Sequence, residues 1–130
     1  MPRILATLAI AFVLWIVVLA NRGVLYDYLP FIQNIPLLDK AGHFCLMGGV
    51  AFFVNLALRG QRLQVLGRDC FLGSLLVFAC VLLEELSQIF IATRNFDLVD
   101  LLADGLGILV LGTLGGRLGA RAPVPDSPNN

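Results

Sequence analysis

Three features of the chain predict an all-α fold, a bundle of four transmembrane helices with both termini cytoplasmic. The first is composition: of 130 residues, 58% are hydrophobic and 14% charged, with a mean hydropathy of +0.88. Soluble domains carry about 25% charged residues, so this chain is short of the groups that would keep it in water. The second is segmentation, because four apolar runs, at about residues 4–20, 42–58, 70–92 and 98–118, are parted by short polar stretches. The third is the placement of basic residues. Arg3, Arg59, Arg62, Arg68, Arg117 and Arg121 fall on one side of the runs, and Arg22, Lys40 and Arg94 on the other. The side richer in Lys and Arg faces the cytoplasm. Formal net charge is zero, so there is no basic field for nucleic acid, and none is expected as a partner.

The first run, Ile4 to Ala20, has no charge and sits at the short end of what crosses a hydrocarbon core of about 30 Å. A rival reading is a cleaved signal peptide, with Arg3 as its charged start and Val18-Leu19-Ala20 as the cleavage triplet. The apolar core is long for a signal peptide and more spans follow, which favours a retained span. From Asn21 to Leu38 the chain is polar and aromatic. Pro30 and Pro36 break any continued helix, and Tyr26 and Tyr28 suit the headgroup level.

The second run opens with Asp39-Lys40-Ala41-Gly42-His43-Phe44. Asp39 is placed to cap the helix, and Lys40 and His43, three apart, share a face. Arg59 to Asp69 is expected to be a short polar loop. The third run begins with uninterrupted apolar or small residues from Phe71 to Leu83 and meets Glu84, Glu85 and Gln88 only at its far end. A tight connection, Thr93 to Phe96, contains Arg94. The fourth run starts near Asp97, placed as its cap, and carries Asp100 and Asp104 in its first two turns. Residues 1–121 thus make one membrane domain. The tail at 122–130, Pro-rich and polar, is expected to be disordered. Cys45, Cys70 and Cys80 are read as free, buried, small apolar residues.

This orientation brings the charges together. The second and fourth helices start at the outer surface and the third ends there, so Asp39, Lys40, His43, Glu85, Gln88, Asp97, Asp100 and Asp104 reach one level. Charged side chains at membrane depth cost roughly 2.5–3.5 kcal/mol each on insertion scales. The spacings Glu85 to Gln88 and Asp97 to Asp100 to Asp104 put each set on one helix face. The expected result is a polar pocket open to the extracytoplasmic side, with Lys40, His43 and Arg94 as the available cations. On the fourth run, Ala103 and Gly107, Gly112 and Gly116, and Gly115 and Gly119 are each four apart. Such pairs let helices approach closely, either within the bundle or in a homodimer.

In combination, Asp39-Lys40-Ala41-Gly42-His43-Phe44, Glu85-Leu86-Ser87-Gln88, Arg94, Asp97, Asp100 and Asp104-Gly105-Leu106-Gly107 resemble the VanZ-like family. The resemblance covers about residues 36–118. Asp104 departs from it, since the family pattern has Asn there. The family takes its name from an accessory protein of teicoplanin resistance. The resemblance implies a multi-pass protein of the bacterial cytoplasmic (inner) membrane, with an envelope function on the outer face.

Each candidate residue has a bland reading beside a functional one. Glu85 and Gln88 read as a hydrogen-bonded pair setting helix register, or as part of a ligand site. His43 reads as an interfacial hydrogen-bonding residue, or as a general base or metal ligand. Lys40 and Arg94 read as counter-ions, or as recognition groups for phosphate or carboxylate. The ligand-binding set is Asp39, Lys40, His43, Glu85, Gln88, Arg94, Asp100 and Asp104. No cofactor is expected, and no metal is assigned, because neither HExxH nor Cys/His ligand spacing is present.

The reading leans to a non-enzymatic protein that binds a lipid head group or peptidoglycan precursor, with membrane lipids or a lipid-linked envelope precursor as partners. The alternative is a hydrolase or transferase on a lipid-linked substrate, with His43 and Glu85 as its acid-base pair. Proton-coupled transport ranks last, because the acids all lie at one end.

Overall fold

The apolar runs become helices because they are rich in Leu and Ala and carry their prolines at the ends. The computed structural model describes residues 1–123. Helix α1 spans Pro2–Asn21, with its proline in the first turn, where no intrahelical N–H is lost. Two single-turn helices, α2 (Leu25–Tyr28) and α3 (Phe31–Asn34), lead to α4 (Leu38–Ala57). Strands β1 (Arg62–Val65) and β2 (Arg68–Phe71) follow. Next come α5 (Leu72–Ser87), continued by a 3-10 turn at Gln88–Phe90, and α6 (Leu98–Arg121).

The chain is mostly helical, and four of its helices, at Pro2–Asn21, Leu38–Ala57, Leu72–Phe90 and Leu98–Arg121, are long and apolar enough to cross a membrane. Large apolar side chains such as Leu8, Phe12, Leu14 and Trp15 stand exposed around α1. A soluble monomer rarely presents so continuous an apolar surface. The architecture is compatible with a multi-pass membrane protein.

The closest-packed pair is α4 and α6, and glycine makes that closeness available. A Cβ at Gly48 would stand 2.7 Å from the Gly107 carbonyl oxygen, and one at Gly107 would overlap the Phe44 carbonyl. Further along, Gly115 lies against the Phe52 backbone and Gly119 against Asn55. Gly107, Gly115 and Gly119 of α6 therefore pack within the chain against the α4 backbone, while Gly112 and Gly116 lie closest to Ser74 and Phe71. A compact apolar cluster of Val50, Ala51, Val77, Val81 and Ile108 joins α4, α5 and α6 beside this seam.

Toward one end of the bundle, fully buried Asn55 links three helices. Its Nδ2 donates to Ser74 Oγ (2.7 Å) and to the Gly112 carbonyl (2.9 Å), and its Oδ1 accepts from the Ser74 backbone N–H (3.2 Å). That last bond satisfies an N-terminal amide of α5, whose own N-cap, Phe71, offers no side-chain acceptor. The same end holds the two-stranded hairpin. The opposite end gathers the end of α1, the start of α4, the end of α5 and the start of α6. There the Thr93 hydroxyl donates to the Asn21 carbonyl (2.8 Å) and ties α1 to the α5–α6 connection.

Several expectations are corrected. Arg59 to Asp69 is no mere loop, since Arg62 to Phe71 pairs as an antiparallel hairpin in which Val65 opposes Arg68. Its two turn residues, Leu66 and Gly67, both have positive φ, as a tight hairpin turn requires. The sequence lacks the usual Asn-Gly or Asp-Gly signal there. Asp39 does not cap α4. The helix begins one residue earlier, after Leu37 in a left-handed conformation, and Asp39 lies inside its first turn. Cys45 and Cys80 are exposed on the bundle surface and Cys70 is partly so, although all three are free. The tail expected at 122–130 lies, beyond Pro123, outside the described residues.

Candidate functional site

Two salt-linked groups and one buried pair occupy the polar end of the bundle. Lys40, in the first turn of α4, reaches across to α6. Its Nζ donates to Asp97 Oδ2 (2.7 Å), contacts Asp100 Oδ1, and lies 3.1 Å from Asp39 Oδ2 on its own helix. Asp97 also caps α6 by accepting from the Val99 N–H at 2.8 Å. The Lys40 ammonium, followed by the Val99 amide, holds the Asp97 carboxyl below its ordinary range.

One turn further along α4, His43 lies between two acids of α6. Its Nδ1 is 3.0 Å from Asp104 Oδ1, and its Nε2 is 3.6 Å from Asp100 Oδ2. Asp104 is only 1% exposed. Asp100 and Asp104 are four apart on α6, and Lys40 and His43 three apart on α4, so each helix presents one stripe to the other.

From α5 come two further acids, Glu84 and Glu85, and the amide of Gln88 follows at its end. Gln88 Nε2 donates to Glu84 Oε2 (2.8 Å) and to Glu85 Oε1 (3.1 Å). Glu85 is 0% exposed, and its Oε2 has no hydrogen-bond partner among the described residues. Arg94 pairs with neither Glu85 nor Asp104 and meets only the rim acid Glu84 among the described residues. Its Nη1 donates to Asn21 Oδ1 at 3.3 Å, and its Nη2 is 3.7 Å from Glu84 Oε1.

A cavity of about 1020 Å³ opens beside these groups. One wall is apolar, from Val13, Ile16, Val17 and Ala20 of α1 with Leu46 and Met47 of α4. The other is polar, from Asp39, Lys40, His43, Gln88, Arg94 and Asp100. Glu85 and Asp104 do not line it and lie behind His43. The space is amphipathic, and its two ends call for different chemistry.

Seven of the eight expected ligand-binding residues thus fall into two touching clusters, Asp39-Lys40-His43-Asp100-Asp104 and Glu85-Gln88. Arg94 borders the same cavity but pairs with Glu84 and Asn21. Two groups of three, Asp39-His43-Asp100 and His43-Glu85-Asp104, each place one ligand atom per residue within 4.8 Å of the others. His43 is not hydrogen-bonded to Glu85, because Asp104 occupies its Nδ1.

Asn21 and Asn55 are polar partners that the sequence reading passed over. Asn55 carried a usable signal, as the one amide in an otherwise apolar stretch of the second run. Compared with models of protein families, with curated proteins and with solved structures, the chain matches none.

Proposed function

We propose that this chain is a multi-pass protein of a bacterial cytoplasmic membrane, with both termini cytoplasmic, that binds a lipid-borne envelope component in the cavity at its outer face. The amphipathic cavity carries the reading. Its apolar wall, between α1 and α4, suits an acyl or prenyl chain, and its polar wall suits a head group.

Charge narrows the head group. Lys40 is already engaged by Asp39, Asp97 and Asp100, whereas Arg94, among the described residues, holds only an amide and a distant carboxylate. Arg94 is accordingly the phosphate-recognising group, with a planar fork of donors. The facing carboxylates of Asp39 and Asp100 suit the amines or hydroxyls that accompany phosphate in a phospholipid head group or a lipid-linked peptidoglycan precursor. The resemblance of the Asp39–Phe44, Glu85–Gln88 and Arg94–Asp104 motifs to the VanZ-like family supports an envelope role, with glycopeptide tolerance as the associated phenotype. The acid-base alternative gains less, because His43 is turned to Asp104 and Asp100 rather than to Glu85.

Native mass spectrometry of the protein in mild detergent tests the proposal, with Arg94→Ala and the cavity-filling Ala20→Trp beside the wild type. The expected result is a phospholipid or polyprenyl-linked species bound to the wild type and lost from both variants. A wild type free of lipid, or equal lipid on all three, overturns it.

A further inference from the structure

The buried acids behind His43 do not belong to the cavity wall, and one of their oxygens is unaccounted for. Glu85, Asp104 and His43 come from three different helices yet stand at one depth. Glu85 lies five residues before the end of its span, His43 five past the start of α4 and Asp104 six past the start of α6, each about 7.5–9 Å along the helix. Their ligand atoms lie within 4.8 Å of one another. Ligands 2.0–2.2 Å from a tetrahedral ion stand about 3.4 Å apart, so a small shift of side chains closes this group on a cation.

Two independent observations point to a ligand. Glu85 is 0% exposed and its Oε2 is unpartnered among the described residues, an arrangement costly for a carboxylate unless something positive meets it. Charge is also out of balance. Asp39, Glu84, Glu85, Asp97, Asp100 and Asp104 surround two fixed cations, Lys40 and Arg94, which are held at the outer edge of the cluster. Neither of them pairs with Glu85 or Asp104.

We infer that His43 Nδ1, Glu85 and Asp104 bind a first-row divalent cation of the Mn²⁺ or Zn²⁺ class. One imidazole with two carboxylates matches such ions better than a thiolate-seeking one. The cation takes the place of the proton between His43 Nδ1 and Asp104 Oδ1, so binding releases that proton to solvent. Asp100, facing Nε2 on the far side of the ring, orients the imidazole as second carboxylates do around metal-bound histidines. Calcium is disfavoured by the imidazole, since it takes oxygen ligands, whereas Mn²⁺ and Zn²⁺ accept nitrogen. This inference does not require the cavity to hold a lipid.

The test uses full-length protein in mild detergent, stripped with EDTA and titrated with Mn²⁺, a probe with little affinity for the three thiols. The expected result is about one Mn²⁺ per chain, with ¹⁴N coupling from imidazole in pulsed electron paramagnetic resonance. His43→Gln loses the nitrogen coupling, and Glu85→Gln and Asp104→Asn bind at least roughly tenfold more weakly. Arg94→Ala keeps the metal, which separates this outcome from loss of lipid. Circular dichroism reports folding of each variant. Should a carboxamide variant fail to fold, nitrogen coupling that is lost in His43→Gln but kept in Asp39→Asn, which removes a ligand of the other group of three, decides the matter, and its loss in Asp39→Asn overturns the inference. No Mn²⁺ above a protein-free blank, Mn²⁺ without nitrogen coupling, or unchanged binding in folded Glu85→Gln and Asp104→Asn overturns the inference.

Discussion

His43 and Asp104 face each other across the α4–α6 seam, with Nδ1 3.0 Å from Oδ1 and the carboxylate 1% exposed. A buried carboxylate with a single ring partner depends on that partner. Asp104→Leu leaves the imidazole without its partner and is expected to lower stability by about 1.5–3 kcal/mol. Asp104→Asn keeps an oxygen acceptor of the same shape and is expected to cost less than half as much. Thermal unfolding of both variants in metal-free detergent checks the order, and equal losses would show that charge rather than the hydrogen bond matters.

The glycines of α6 are not equivalent. A methyl group at Gly107 overlaps the Phe44 backbone, while one at Gly105 meets only the Phe78 ring at an ordinary 3.7 Å. Gly107→Ala is expected to destabilise by about 1–3 kcal/mol, since backbone must move. Gly105→Ala is expected to gain about 0.5–1 kcal/mol by relieving the entropy cost of glycine in a helix. Unfolding by denaturing detergent measures both.

Asn55 holds α4, α5 and α6 together through three hydrogen bonds. Asn55→Ala removes an acceptor for the first turn of α5 as well as the link to Gly112, and a loss of about 1–3 kcal/mol follows. The same variant leaves the polar cavity untouched, so bound lipid should persist on the folded fraction in native mass spectrometry.

Acid affects the outer edge of the site first through Asp97. Its carboxyl is held below the ordinary value of 3.8 by Lys40 and by the Val99 amide. A depressed carboxyl contributes stability that is full above the unfolded value and is lost as pH falls through the folded one. The contribution of Asp97 is therefore constant at neutral pH and declines only below about pH 4. Asp97→Asn should flatten that acid limb and leave the neutral region unchanged, as read by melting temperature against pH.

Much of this architecture was readable along the chain. The four apolar runs, the polar far end of the third, and the three- and four-residue spacings of Lys40 to His43 and Asp100 to Asp104 state which helices exist and which face and depth each polar residue takes. Short elements were harder to read. The hairpin turn uses Leu66, 99% exposed and at positive φ, so turn chemistry did not announce it. The start of α4 at Leu38 rather than at an Asp39 cap depends on Leu37 adopting a left-handed conformation, which no side chain there advertises.

Periodicity along one helix carries no information about its rotation against a neighbour. That rotation comes from the seam at Gly48, Gly107, Gly115 and Gly119, where missing side chains let the α4 and α6 backbones touch. It gives His43 to Asp104 rather than to Glu85 and sends Lys40 to Asp97 and Asp100, while the α5–α6 connection brings Arg94 to Asn21 at the end of α1. The partners His43 and Asp104 are 61 residues apart in sequence. Which residues are polar, and at what depth, is written in the order of amino acids; which of them meet is decided by how closely two backbones can pack.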